Sequence, residues 1–166
     1  MFIDASNIYH SQKTLGWKVD FEKLRLYFQK ETNLTSILFY TGLDPKNEKQ
    51  VSFLEHLQRY GYKVVSKVLK VIKTGQNTYR HKGSLDIELA LDCYIARNTF
   101  DTLVLLSGDS DFSPLLDHLK AERKKIVIMS ARGHVAVELT SRAKFVDLGK
   151  IKQYIQYKIQ EAPKGL

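Results

Sequence analysis

Two acids stand two residues apart in SGDSDF (107–112), directly after the apolar run Leu103–Leu106. Asp4 holds a similar place in FIDASN, behind the very short apolar run Met1–Ile3 and three residues before Asn7. A third acid, Asp86, opens a helical pattern in KGSLDIELALD (82–92). Carboxylates gathered at one spot repel, and each raises the others' pKa unless a positive charge offsets them. The simplest offset is Mg²⁺ or Mn²⁺, both of which prefer oxygen ligands. Mg²⁺ keeps several waters and takes only one or two carboxylates directly. Such an ion polarises a phosphoryl oxygen and acidifies a bound water, which is the chemistry of phosphodiester hydrolysis.

Each acid also has a plainer reading. Asp4 suits a turn or a helix cap, Asp86 suits an N-cap, and Asp109 with Asp111 suits a turn followed by the cap of a helix starting at Phe112. Asp92, six residues beyond Asp86, lies off its helical face and reads as a supporting or solvated residue. Asn7 either orients Asp4 or closes an Asx turn. The joint placement of the acids outweighs these readings, because the elements around them predict one meeting point.

Strand-like apolar runs at 1–3, 36–41, 62–73, 102–107, 125–130 and 144–148 alternate with helical patterns. That alternation predicts an α/β domain with a largely parallel sheet. Helices are expected at 19–31 (capped by Asp20, with Phe21, Leu24 and Phe28 on one face), 47–60 (ended by Gly61), 86–98, 112–122 and, briefly, near 134–142. TGQNTY (74–79) has the composition of a hairpin tip. A last amphipathic helix at 149–160 carries Ile151, Tyr154, Ile155 and Ile159. It would pack on its own domain or, making a homo-oligomer, on a second copy. The division expected is a domain at 1–148 followed by this helix and tail at 149–166. In open parallel sheets ligands bind outside the carboxyl ends of the strands, where Asp4, Asp86, Asp109 and Asp111 would be neighbours.

Bulk properties narrow the partner. With 26 basic and 18 acidic residues the 166-residue chain has a net charge of +8, which favours a polyanion such as RNA. From His56 to Leu85 there is no Asp or Glu, while Arg59, Lys63, Lys67, Lys70, Lys73, Arg80 and Lys82 alternate with Tyr60, Tyr62 and Tyr79. This segment reads as a track for an RNA backbone with tyrosines for stacking, or as an edge strand protected by lysines. No apolar run approaches the ~20 residues of a membrane span, and no secretory pattern opens the chain. The lone Cys93 forms no disulfide framework or zinc pattern, so a reducing cytoplasmic setting is expected. There is no G-x-x-x-x-G-K-[ST] loop, and Ser107 and Ser110 lack a nucleophile elbow. The D-x-D spacing of Asp109 and Asp111 matches haloacid dehalogenase phosphatases poorly, since their motif follows the first strand.

The ordered set FIDASN, KGSLDIELALD and SGDSDF, with FYTG (39–42) and KG (82–83), resembles the NYN domain of the PIN-like nuclease superfamily, and most its LabA-like branch. The resemblance runs from the first strand to about residue 148. It implies a PIN-like three-layer sandwich with a mainly parallel twisted central sheet, and metal-dependent RNA hydrolysis using Mg²⁺ or Mn²⁺. Carried over, the catalytic and metal-binding acids are Asp4, Asp86, Asp109 and Asp111, supported by Asn7, Asp92 and Ser107. Lys82 would contact the scissile phosphate. One departure is the first strand, which in the family has several more apolar residues before its acid. The competing function is an RNA-binding regulatory module with weak or absent catalysis.

Overall fold

In the computed structural model, residues 1–73, 79–82 and 84–158 are described, with the backbone alone for 70–73 and 79–82. The strands are β1 (Phe2–Asp4), β2 (Leu38–Leu43), β3 (Lys63–Val68), β4 (Lys70–Lys73), β5 (Tyr79–Lys82), β6 (Thr102–Leu106), β7 (Lys125–Ser130) and β8 (Lys144–Asp147). Six of them form an all-parallel sheet in the order β3-β2-β1-β6-β7-β8, while β4 and β5 pair as a separate antiparallel ribbon. The helices are α1 (Ala5–Leu15), α2 (Phe21–Glu31), α3 (Glu48–Arg59), α4 (Asp86–Ile95), α5 (Ser113–Ala121), α6 (Val137–Thr140) and α7 (Lys152–Ile155).

Strand side chains alternate between two faces, and each face has its own core. Ile3, Phe39, Leu106 and Met129 pack with Ile8, Leu24, Leu54 and Leu57 of α1–α3. Their chain neighbours Phe2, Tyr40, Leu105 and Ile128 pack with Leu89, Cys93, Leu116 and Leu139 of α4–α6. The result is the expected three-layer α/β sandwich. The chain starts at β1, winds outward to β3 over one face, then returns across the other through α4 and winds outward again from β6 to β8. The direction of winding switches between β1 and β6, and at such a point the loops diverge and leave a crevice at the strands' carboxyl ends. Among the described residues no helix is long and apolar enough to cross a membrane.

The structure revises several expected elements. Helix α1 has no counterpart in the sequence reading, because only Ile8 and Ser11 of its eleven residues are buried and the apolar period is correspondingly thin. The strand expected over 62–73 breaks at Leu69, whose N–H donates to the Leu43 carbonyl at 2.8 Å before the chain leaves the sheet for the ribbon. Residues 74–78 of the expected tip lie outside the described residues. The helix expected over 149–160 shrinks to a 3₁₀ turn at Leu148–Ile151 and the single turn α7. Backbone pairing wins over helix continuation there: Gln156 is extended (φ −70°, ψ 132°) and bridges Val19, and Tyr157 N–H donates to the Lys18 carbonyl at 2.8 Å. Ile151 and Ile155 are buried in their own domain and Tyr154 stacks on Tyr27, whereas Ile159 lies outside the described residues.

Candidate active site

Parallel register sets the centre of the site. Ile3 pairs with Leu106, so the next residues, Asp4 and Ser107, face one another across the β1–β6 boundary. Asp4 also caps α1: its Oδ1 accepts the Ser6 and Asn7 amides at 2.9 and 3.2 Å. Its Oδ2 accepts the hydroxyl of fully buried Ser107 at 2.9 Å, and Ser107 Oγ in turn accepts the Asp109 amide at 3.3 Å. Ser107 Oγ is thus a hydroxyl bridge between the first and last acid motifs. Burial raises the pKa of Asp4 above the usual carboxylate value; the Asn7, Ser107 and Ser6 hydrogen bonds oppose this, and the nearby charge of Asp86 adds to it.

Asp86 is the first residue of α4 rather than its cap, and its Oδ2 accepts the Ser84 hydroxyl. Asp4, Asp86 and Asp109 line one cavity of about 640 Å³. Asp111 does not line it: it is exposed in a 3₁₀ turn, and its amide donates to Asp109 Oδ1 at 2.9 Å. None of these four acids forms an ion pair with a basic side chain among the described residues. Three carboxylates with amide and hydroxyl partners are a hard-oxygen donor set, which suits Mg²⁺ or Mn²⁺. The same residues do not form a closed cage. Among the described residues no three His, Cys, Asp or Glu side chains come close enough to hold one ion together. The donor set fits a cation that keeps most of its waters.

Supporting residues divide into two groups. Asn7 holds Asp4 through its backbone, while its side chain braces the loop after β7: Oδ1 accepts from Ser130 at 2.9 Å and Nδ2 donates to the His134 carbonyl at 3.4 Å. Asp92 is outside the cavity lining and accepts the Tyr40 hydroxyl at 2.9 Å, fixing a cavity wall. Tyr40 went unnoticed as a site residue, although FYTG was visible. So did Gly108. A Cβ on Gly108 would lie 1.7 Å from the His134 carbonyl oxygen, so only glycine lets these two loops meet. Cys93 is core material, its thiol pushed up to about 12 by burial.

The basic segment is distributed along the sheet edge. Lys63 is level with Leu38 at the start of β3, about 13 Å of strand before Lys67, which is level with Gly42 at the cavity end. Lys67 is already paired with Glu88 at 2.5 Å. Lys70, Lys73, Arg80 and Lys82 belong to the ribbon, with Lys70 opposite Lys82 and Lys73 opposite Tyr79. Leu69 and Ser84, which flank the ribbon in sequence, both line the cavity, so the ribbon is rooted at the cavity wall. Tyr62 is buried, with its hydroxyl on the Phe21 carbonyl at 2.7 Å, and has no face for a base.

Comparisons with known proteins agree with this architecture. The NYN domain family matches residues 1–149. The chain is 33% identical over 162 residues to the low amplitude and bright protein LabA of Synechococcus elongatus, covering 94% of this chain and 86% of that protein. A crystal structure of a Vibrio parahaemolyticus protein of unknown function superposes with a TM-score of 0.76 at 23% identity, covering 94% of this chain and 93% of the other. That last likeness concerns the fold.

Proposed function

The chain belongs to the NYN domain family, within the PIN-like nuclease superfamily, and on that premise we propose that it is a divalent-metal-dependent endoribonuclease acting on single-stranded RNA. The observation that carries the reading is the convergence of Asp4, Asp86 and Asp109 on one cavity at the β1–β6 switch point, with no basic partner among the described residues. The chemistry a Mg²⁺ or Mn²⁺ ion supplies when bound is polarisation of a phosphoryl oxygen and acidification of an attacking water.

The chain's own residues position and screen. Asp4 is fixed on both oxygens by Ser6, Asn7 and Ser107, so its carboxylate loses little freedom on binding a cation. Asp86 and Asp109 approach from α4 and from the loop after β6. Asp111, exposed outside the cavity, is assigned an outer role through solvent. The ribbon carrying Lys70, Lys73, Arg80 and Lys82 would draw the RNA backbone towards the acids, with Lys82 nearest Asp86 in sequence.

The test is cleavage of a mixed-sequence single-stranded RNA with Mn²⁺, Mg²⁺ or EDTA, comparing wild type with Asp109→Asn. Cleavage that needs the metal and vanishes in the variant is expected. A second reading, an RNA-binding regulatory module, draws on the lack of any three-acid cage among the described residues. RNA binding by both proteins without cleavage under any metal would replace the first reading with the second.

A further inference from the structure

Besides the acids, five aromatic residues, Tyr9, Phe21, Phe39, Tyr40 and Phe53, line the 640 Å³ cavity among aliphatic and polar ones. Phe21 and Phe39 are buried, at 9% and 3% exposure. Phe53 leans on both edge-to-face, at 5.7 and 6.0 Å between ring centroids, yet remains 41% exposed. Phe53 is thus both packed on the core and open to the cavity that it lines. Tyr9, one turn and a half beyond Asp4, is 57% exposed, and the Lys13 ammonium lies 4.4 Å from its ring centroid. Gln12 lines the same cavity and is held by its Oε1, which accepts Val19 N–H at 2.7 Å; its Nε2 has no partner among the described residues.

We propose that this aromatic wall is a base-binding subsite, in which one unpaired nucleobase next to the scissile phosphate stacks on Phe53 with its edge towards Gln12. The proposal rests on the ribonuclease reading and adds the group that the site grips besides phosphate. The cavity volume lies in the range of small-molecule sites, which are mostly apolar walls with a few placed polar groups. A ligand with a cation-binding, phosphate-like group and a flat apolar group would match both the carboxylates and the aromatic rings of this wall. A nucleotide of a single strand has that shape, and a base inside a duplex cannot present its face. Aromatic stacking is sequence-tolerant because every base has a π-face; the Gln12 amide adds a donor that favours bases with an acceptor on the exposed edge. Tyr62 of the basic segment does not compete for this role, since it is buried and hydrogen-bonded.

The experiment is a double-mutant cycle between protein and substrate. Wild type, Phe53→Ala and Phe53→Trp cleave a short single-stranded RNA with its bases intact, or with one abasic nucleotide walked past the cleavage point. For wild type, one flanking position is expected to lose about 5- to 150-fold in kcat/KM when abasic, the worth of one stacked base. Phe53→Ala should lose a similar factor on intact RNA and be indifferent to the abasic nucleotide, whereas Phe53→Trp should keep both the rate and the abasic penalty. Thermal unfolding of each variant separates lost packing on Phe21 and Phe39 from lost stacking. Equal abasic penalties in wild type and Phe53→Ala, or no penalty at any position, overturn the subsite while cleavage itself stands. A wild type that cuts no RNA overturns the ribonuclease reading and the subsite with it.

Discussion

Gly108→Ala tests how the site is held together. The added Cβ would be 1.7 Å from the His134 carbonyl oxygen, and 2.7 Å from both the His134 carbonyl carbon and Val135 Cα. Heavy atoms settle at about 3.5–4 Å, so the two loops must part by roughly 2 Å. These neighbours are backbone atoms, which do not swing aside as the tip of a long side chain does. The separation would also break the 2.9 Å bond from Ala136 N–H to the Gly108 carbonyl. Overpacking costs about 1–3 kcal/mol and the lost bond about 1 kcal/mol, so the variant should be less stable by about 2–4 kcal/mol. For a chain of this size that lowers Tm by about 4–16 °C. On the proposed mechanism Asp109, the next residue, is a catalytic group, and a displacement of about 1 Å in such a group costs on the order of 100-fold in rate. Thermal unfolding by circular dichroism gives the first number; RNA cleavage well below the variant's Tm gives the second. Wild-type Tm and cleavage rate in Gly108→Ala would show that the loops yield freely, and the close approach would then explain nothing about the position of Asp109.

Ser107→Ala removes the hydroxyl from Asp4 Oδ2 and the acceptor from Asp109 N–H, and should cost about 1.5–3 kcal/mol in denaturant unfolding; a neutral result would mean that water replaces the hydroxyl. Asp4→Asn keeps an N-cap acceptor for Ser6 and Asn7 but carries no buried charge, so it should abolish cleavage without unfolding the chain. Because burial raises the folded-state pKa of Asp4, the protonated form contributes stability that is fully present below the unfolded value of 3.8 and is lost as pH rises through the raised value. The stability of Asp4→Asn relative to wild type should therefore grow as pH rises through that window, and a difference that shrinks instead would contradict the buried-charge account. Mn²⁺ at about a hundred times its Kd should stabilise wild type by about 2.7 kcal/mol, or about 5–11 °C in Tm, and Asp109→Asn much less; equal shifts in both would detach the acids from the metal.

What the sequence disclosed depended on how many faces an element buries. Strands β6 and β7 were legible because both faces are covered, leaving nearly continuous apolar runs. Helix α2 was legible because Phe21, Leu24 and Phe28 repeat at helical spacing behind a side-chain cap from Asp20. Helix α1 was not, since it buries an isoleucine and a serine and leaves the rest partly or fully exposed. Four acids were expected at one edge because a parallel sheet gathers its strand ends there; Asp4, Asp86 and Asp109 line the cavity and Asp111 does not. Their fastening could not be expected. The Asn7 brace on Ser130 and the Gly108–His134 contact join residues more than a hundred and more than twenty positions apart, and neither leaves a periodic trace. The aromatic wall was hidden for another reason. Phe21 reads as core from its spacing, Phe39 and Phe53 carry no signal of their own, and only the exposure of Phe53 sets it apart.

The geometry also bears on what kind of cation the proposed site would take. An ionised carboxylate has about four acceptor positions. Asp4 has given three of them to Ser6, Asn7 and Ser107, and those bonds also cap α1 and tie β1 to β6. Asp86 and Asp109 have each given one, to Ser84 and to the Asp111 amide. Asp4 is thus left with about one position, whereas Asp86 and Asp109 keep about three each, so only a metal that demands both oxygens of Asp4 would have to break the helix cap. A strongly hydrated one would not, because it needs few direct oxygens and can reach the others through its own water shell. On the proposed mechanism, the interactions that make Asp4 rigid favour an ion that takes one oxygen from Asp4 directly and reaches the rest through water. Selectivity should therefore fall between ions that keep their water and ions that shed it, with the N-cap hydrogen bonds of α1 as the structural reason.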